Sequence, residues 1–570
     1  MTGMQRSSDH VERSHSKNGL AAALDTAKTR LLISGSLYIF CVVMVLFRLC
    51  DLMLFREGSE PTLAENDIAK GVQTGRADII DRNGVILATT IKTTSVYANA
   101  KQILNIGETC KKLSAVVRGD LKGLQLKLEA GKTFVWVARH LTPEQKEKIL
   151  RLGLPGINFV PDYKRIYPHG SLVSHVMGFT NIDNQGISGI EKSLNKELSS
   201  SISPVQTSID VRLQHIVRDE LRRGIEEFSA TGGAGLILDI ETGEIVSLVS
   251  APDFNPNHPS KAPRDNLFNK VSMGTYEMGS TMKIATIAMA LENQIAKLST
   301  VFDVTKPLRV GRFKITDNHP KGRPLNVAEI FIHSSNIGTA QLALLAGAER
   351  QQSFMRKLGF MDAIDIELPE VGVPLIPKVW KEPSVITISY GYGFSITPIQ
   401  LAAGVGTLAA GGLRIHPTLI KGKNRGKERD RVISEDHSKK ILQLMRFVIT
   451  DGTARKTNIK EYFVAGKTGT RKLLMGRKYN DNHVATSFMG VFGQINSQPR
   501  YAIFVMVEDP KGTKKTFGFN AAGWNSVVVT RRIIERAAPL LGLIPNKMNV
   551  EETIDEYFQQ AHFRFSNDKH

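Results

Sequence analysis

The chain is 570 residues long, beyond the size of one ordinary domain, with 42% apolar and 23% charged residues. That balance is globular and excludes wholesale disorder, a collagen repeat and a multi-span membrane architecture. Lysine plus arginine total 74 against 55 acids, a net +19 that admits nucleic acid, a membrane surface or an anionic substrate, while three cysteines (Cys41, Cys50, Cys110) exclude a disulfide framework or a cysteine-rich zinc site.

Residues 1–30 are polar and mixed in charge, and read as a flexible tail. Leu31 to Phe47 carries no charge, and the apolar run resumes around Arg48 and Asp51 as far as Phe55, which predicts a membrane-spanning helix over 31–55. A buried core helix would show a polar stripe. A cleaved signal peptide would show small residues just after the apolar stretch, and a lipoprotein site would show them just before Cys50; neither is present. The expectation is a single uncleaved signal anchor, and the positive charge ahead of it puts the amino terminus in the cytoplasm and residues 56–570 outside. Only Cys110 is then exported, and a basic chain on the outer membrane face argues against nucleic acid as a ligand.

From Arg76 to Ser203 short strand-like runs alternate with turn residues, as in RADIIDRNGVILATT with its Asn83-Gly84 turn and in RIYPHGSLVSHVMGF. From Gln206 the texture is longer and more regular. Residues 211–228 have helical spacing, and 233–252 read as a hairpin turning at Glu241-Thr242-Gly243. Apolar helices follow at 284–294 and 401–410, then strands at 483–495 and 500–509. Strands, then helices, then strands predict an α+β domain with an antiparallel sheet. The basic stretch 421–431 reads as a solvated surface turn, and 546–570 carries no interpretable motif.

Three short motifs carry chemistry. Ser280-Thr281-Met282-Lys283 opens an apolar helix, so the serine lies among unpaired N–H groups and the lysine one turn on can reach its hydroxyl. A desolvated lysine beside another cation could act as the base. The spacing alone is weak, because Ser14 and Lys17, and Ser193 and Lys196, share it. Ser334-Ser335-Asn336 begins another helical run and could equally be an N-cap. Lys467-Thr468-Gly469-Thr470 is the only K-T-G in the chain. A P-loop there would need glycine at position 461, which is Glu461, and would face the wrong side of the membrane for nucleotides. S-x-x-K, S-x-N and K-T-G in that order are the signature set of active-site serine penicillin-binding proteins and serine β-lactamases.

The chain therefore resembles a class B penicillin-binding protein, a monofunctional peptidoglycan D,D-transpeptidase, from the anchor to about Ala538. RADIIDRNGVILA and RIYPHGSLVSHVMGFTNIDNQGISGIEKSLNKEL resemble the two pedestal signatures. TSIDVRLQ, TYEMGSTMK, GYGFSITPIQLA and GTARKTNIKEYFVAGKTGT follow in the family's order. GFTNIDNQGISGIEKS most resembles the division-specific branch of Gram-negative bacteria. Ala77, Met278, Gly523 and Lys270 depart from the usual glycine, proline, proline and arginine, and none removes a reacting group.

The resemblance implies a cytoplasmic tail (1–30), an anchor (31–55), an elongated mainly-β pedestal (56–204), a transpeptidase domain of antiparallel sheet flanked by helices (205–545) and a tail (546–570). It implies that Ser280 attacks the penultimate D-alanine carbonyl of a stem peptide and Lys283 takes its proton. Ser334 relays a proton to the leaving D-alanine, and Asn336 orients Lys283 and the donor amide. Lys467, Thr468, Gly469 and Thr470 hold the terminal carboxylate, with backbone N–H groups of Ser280 and Thr470 as the oxyanion hole. No cofactor or metal is implied. The implied partners are peptidoglycan stem peptides, β-lactams, a membrane-embedded septal glycan polymerase, other division proteins and the inner membrane, with the catalytic domain periplasmic at the septum. Three alternatives stand beside this reading: an elongation-specific transpeptidase, a non-catalytic division scaffold and a β-lactamase. For the last, Glu191-Lys192-Ser193-Leu194-Asn195 matches the E-x-x-L-N string of class A enzymes, yet it precedes Ser280 and falls in a pedestal signature.

Overall fold

The computed structural model describes residues 28–46, 75–117, 120–311, 313–476 and 478–546. Nearly all of both expected tails, and residues 47–55 of the expected span, lie outside them. The chain separates into two units, Met1–Thr74 and Gly75–His570. In the first, a helix runs from Lys28 to Leu46 with mean hydropathy 2.0, long and apolar enough to cross a membrane. Its start at Lys28 adds three residues that the sequence reading gave to the tail.

The second unit begins with the pedestal sheet. Strands β1 (Ile79–Ile80) and β2 (Ile86–Ala98) pair antiparallel around the expected Asn83-Gly84 turn. β2 is the long central element. It pairs with β3 (Val135–Leu141) and, over Thr89–Ala98, with β4 (Ile157–Ile166), while β1 runs parallel to β5 (Val205–Gln206). The strand texture did not announce the helices packed with this sheet, Ile106–Ser114, Leu121–Glu129 and Pro143–Arg151. Their caps were nevertheless in the sequence: Asn105, Asp120 and Thr142 each accept a first-turn N–H, and Thr142 with Gln145 forms a reciprocal capping box. The stretch RIYPHGSLVSHVMGF also turns helical after β4, with a 3-10 turn at Gly170–Val173 and a helical turn at Ser174–Met177. All four residues of that last turn are buried, so no alternation of inside and outside exists for a strand to exploit.

A buried ion cluster joins the two pedestal signatures. Arg76 from the first and Arg165 from the second each donate through Nε to Glu191, at 2.5 and 2.6 Å, and Tyr167 adds its hydroxyl at 3.4 Å. Asn195 accepts from Arg76 at 2.8 Å. The glutamate and asparagine of the E-x-x-L-N string thus hold the pedestal together.

The part expected to be the transpeptidase domain is a five-stranded antiparallel sheet between two helical layers. α1 (Val211–Glu227) is capped by Asp210 and buries Leu213, Ile216, Val217, Leu221 and Gly224, one helical face. β6 (Gly232–Asp239) and β7 (Ile245–Ala251) form the expected hairpin, every residue buried. α2 (Lys283–Glu292), α3 (Asn336–Lys357, broken at Gly347), α4 (Pro398–Ala409) and α5 (Glu435–Thr450) follow. β8 (Phe463–Met475), β9 (Lys478–Gly493) and β10 (Tyr501–Glu508) complete the sheet in the order β8-β9-β10-β6-β7, and α6 (Ser526–Leu540) closes the fold. α1 and α6 pack together on one face, while α2, α4 and α5 pack together on the other, which explains strands buried on both sides. The basic stretch 421–431 is mostly exposed turn, as expected, but Lys423 is tied to Glu367 at 2.6 Å and Arg429 donates to the carbonyls of Arg414 and Leu413.

Candidate active site

The three motifs, spread over 280–470, converge where α2, α3 and edge strand β8 meet. Ser280 lies in a 3-10 turn, Gly279–Met282, that feeds directly into α2. Because residues 284–291 are apolar, or Thr286, on every side, α2 is buried as far as Leu291, and its first residue is carried inside with it. Lys283 is 0% exposed. Its amine donates to the Ser334 carbonyl at 2.6 Å, Ser334 Oγ at 3.0 Å and Asn336 Oδ1 at 2.7 Å.

The S-x-N turn divides its labour. Ser335 is the N-cap of α3, accepting from Gly338 N at 3.1 Å, so the capping reading holds for the middle residue. Ser334, at φ 60°, is turned the other way, and its hydroxyl meets Ser280 Oγ at 3.1 Å. The sequence spacing put the Lys283 amine within reach of the Ser280 hydroxyl; in the fold the Ser334 hydroxyl stands between them.

K-T-G lies inside β8, in unbroken register with β9 from Lys467 opposite Met489 to Thr470 opposite Thr486. A strand interior is not a phosphate-cradling loop, in keeping with rejection of the P-loop. Lys467, also 0% exposed, donates to Ser334 Oγ at 3.1 Å, so both lysines converge on one hydroxyl. Thr468 Oγ1 shares a 2.6 Å hydrogen bond with Thr453 Oγ1, and Thr470 Oγ1 accepts from Ala522 N at 3.3 Å. Gly469 is required by close approach: a Cβ there would stand 2.9 Å from the Met278 carbonyl and 2.6 Å from Ser487 Oγ. Met278, in place of the usual proline, is buried and its carbonyl accepts the Thr281 hydroxyl at 2.7 Å. Lys270 keeps a cation at its position and pairs with Glu508 at 2.6 Å.

Electrostatics follow from this burial. Desolvation first, then the Lys467 charge, hold Lys283 well below the ordinary ammonium value, with Asp317 pulling the other way. Desolvation pushes Lys467 down to about 7. Two lysines, both held below the ordinary ammonium value by burial, therefore flank one serine pair.

Three residues of the site carried no assignment in the sequence reading. Thr453 and Gly391 belong to segments recognised there, GTARK and GYGFS, without a role. Asp317, 17 residues before Ser334, had no motif to mark it. Gly391 (φ 92°) accepts Gly279 N at 3.1 Å, and a Cβ on it would lie 2.0 Å from the Gly279 carbonyl. The expected outcome for Gly391→Ala is a displaced Ser280 turn and penicillin acylation slowed about a hundredfold. Time-resolved labelling, with the melting temperature as a folding control, checks it.

The description "Penicillin binding protein transpeptidase domain" matches residues 233–530 and "Penicillin-binding Protein dimerisation domain" matches 72–223. The chain is 35% identical over 490 residues to "Probable peptidoglycan D,D-transpeptidase FtsI" of Caulobacter vibrioides, covering 83% of each. It is 29% identical to peptidoglycan D,D-transpeptidase FtsI of Escherichia coli strain K12, covering 81% of this chain and 83% of that one. The crystal structure of a peptidoglycan synthetase from Bifidobacterium adolescentis shares the fold, with a TM-score of 0.66 at 20% identity over 84% of this chain and 97% of the other. With one apolar helix near the amino terminus, a dimerisation domain and a transpeptidase domain in that order, the chain belongs to the penicillin-binding proteins, as a class B member of the FtsI type.

Proposed function

We propose that this protein is the septal peptidoglycan D,D-transpeptidase of its cell, cross-linking stem peptides through an acyl-enzyme on Ser280. The observation that carries the reading is the hydrogen-bonded set Ser280–Ser334–Lys283–Asn336, with Lys467 on the same hydroxyl. Lys283 is the base in its neutral form, which burial beside a cation favours; with two N–H left for the Ser334 carbonyl and Asn336 Oδ1, its lone pair accepts from the Ser334 hydroxyl. The Ser280 proton passes to it through Ser334 Oγ as the oxygen attacks the penultimate D-alanine carbonyl. N–H groups of Ser280 and Thr470 hold the oxyanion, and β8, as an edge strand, has every second N–H facing away from β9 to offer.

The scissile C–N bond then breaks, and Ser334 returns the proton to the departing D-alanine amine. Lys467 with the Thr468 and Thr470 hydroxyls binds the terminal carboxylate; a charged ligand there favours the ammonium form of Lys467. An amine from a neighbouring stem peptide attacks the ester, loses a proton to Lys283 and restores Ser280. A β-lactam opens on Ser280 by the same first step and leaves slowly, because no deacylating water is activated; the E-x-x-L-N glutamate is taken up by Arg76 and Arg165 in the pedestal.

In this reading residues 56–204 are the pedestal and 205–545 the catalytic domain, the amino terminus is cytoplasmic and the rest periplasmic. The anchor and pedestal meet a membrane-embedded glycan polymerase at the septum. The test replaces the chromosomal copy by Ser280→Ala and labels cells with fluorescent penicillin. The expected result is loss of the labelled band and of septal signal, with filamentation. Normal division with Ser280→Ala would identify a scaffold, and sidewall signal with rounding cells an elongation enzyme.

A further inference from the structure

The S-x-N turn is held from outside by a carboxylate. Asp317 follows the short strand Phe313–Ile315 and faces the start of α3. Its Oδ1 accepts the backbone N–H of Asn336 at 2.6 Å and of Ile337 at 3.0 Å, and its Oδ2 accepts the Ser335 hydroxyl at 2.7 Å. The adjacent Thr316 carbonyl accepts Asn336 Nδ2 at 3.0 Å, which leaves Oδ1 of that amide aimed at Lys283. Every helix begins with N–H groups that lack an intrahelical acceptor. Here Ser335 serves one of them, at Gly338, and Asp317 takes the two before it. Ser334, immediately upstream, is in the left-handed region at φ 60°, a conformation that costs a serine on the order of 1 kcal/mol unless its surroundings enforce it.

We infer that Asp317 is a positioning residue of the acylation machinery. It clamps the Ser334–Asn336 turn so that Ser334 Oγ and Asn336 Oδ1 bracket the Lys283 amine, and it supplies the negative charge that offsets Lys467 at that amine. This rests on reading Ser280 as the acylated nucleophile. The charged groups acting on Lys283 are Lys467, which favours the neutral amine, and Asp317, which favours the ammonium. The side-chain atoms touching it, from Ser334 and Asn336, are uncharged. Removing the Asp317 charge without its shape therefore leaves Lys467 unopposed and makes Lys283 easier to deprotonate.

Two variants separate the clamp from the charge, measured on the full-length protein in detergent with fluorescent penicillin as acylating probe. D317A strips all three hydrogen bonds, and its second-order acylation constant is expected to fall about ten- to a hundredfold. D317N keeps Oδ1 for the two N–H groups and turns its amide toward Ser335. Its maximal rate is expected to stay within about threefold of the parent, while the acid limb of its pH profile moves to lower pH. A purely structural residue would move the rate and the melting temperature but not the limb. A D317A constant equal to the parent's, or an acid limb unmoved in D317N, overturns the inference. Absence of labelling in the parent protein would instead remove the acyl-enzyme reading on which it stands.

Discussion

Lys283→Met is expected to lower the rate of covalent penicillin capture by Ser280 about 10²- to 10⁴-fold, the range of a lost general base. The side chain is almost isosteric and the site is fully buried, so the variant adds no steric conflict and removes a desolvated amine. Opposing that gain, the Ser334 carbonyl and Asn336 Oδ1 lose their donor, and the melting temperature should move by only a few degrees, of the order that ~1 kcal/mol produces. The pH profile of the parent carries the second half of the expectation. Lys283 acts as base in its neutral form, and burial beside Lys467 holds it well below the ordinary ammonium range, so activity should persist to pH well below that at which a free lysine is protonated. Lys467 acts in its charged form and sits at about 7 before any carboxylate arrives. The acylation constant of the free enzyme should therefore decline as pH rises through that value. At saturating ligand the decline should shift upward, because a bound carboxylate favours the ammonium form. Stopped-flow acylation across pH reads both limbs. A Lys283→Met variant that acylates at the parent rate would remove the lysine from the mechanism.

What the sequence disclosed and what it withheld follow one physical division. Features set by local pattern were readable. The apolar run of α2, the hairpins at Asn83-Gly84 and Glu241–Gly243 and the strands around 483–509 all appear as read, because burial on one or both faces writes itself into spacing. The motif residues were readable because each is a short local string. The pedestal helices were partly readable, through Thr142 and Gln145, but at nine residues each, set between strands, they are too short for a helical period to stand out. Asp317 was not readable at all. Its function is defined by three hydrogen bonds across 18 to 20 residues of chain, and no periodicity encodes a meeting of that kind. The same holds for the Ser334 hydroxyl lying between Lys283 and Ser280, which depends on one left-handed residue.

Glu191→Ala is expected to destabilise the protein by ~3–5 kcal/mol, the cost of leaving buried charge without its counterion. Here two guanidinium groups lose the same partner, since Arg76 and Arg165 are both buried and both donate to Glu191. The damage is addressed to the pedestal. Arg76 also holds Asn195 and Ser199, and Arg165 holds the carbonyls of Arg76 and Ala77, so this cluster of side chains anchors the first signature segment to the second beside the Ala77 N–H bond to the Leu198 carbonyl and their shared apolar core. Calorimetry should show an earlier transition in the variant. Penicillin acylation per folded molecule should be unchanged, because Lys283, Ser334, Asn336 and Lys467, which form the hydrogen-bonded network around Ser280, all lie in the transpeptidase part. The lifetime of the penicilloyl adduct distinguishes the two meanings of E-x-x-L-N. A glutamate that activated a deacylating water would, when removed, prolong the adduct severalfold or more, as loss of a general base does. A glutamate that only neutralises two arginines would leave the adduct lifetime alone while the melting temperature fell, and that second pattern is the one the geometry requires.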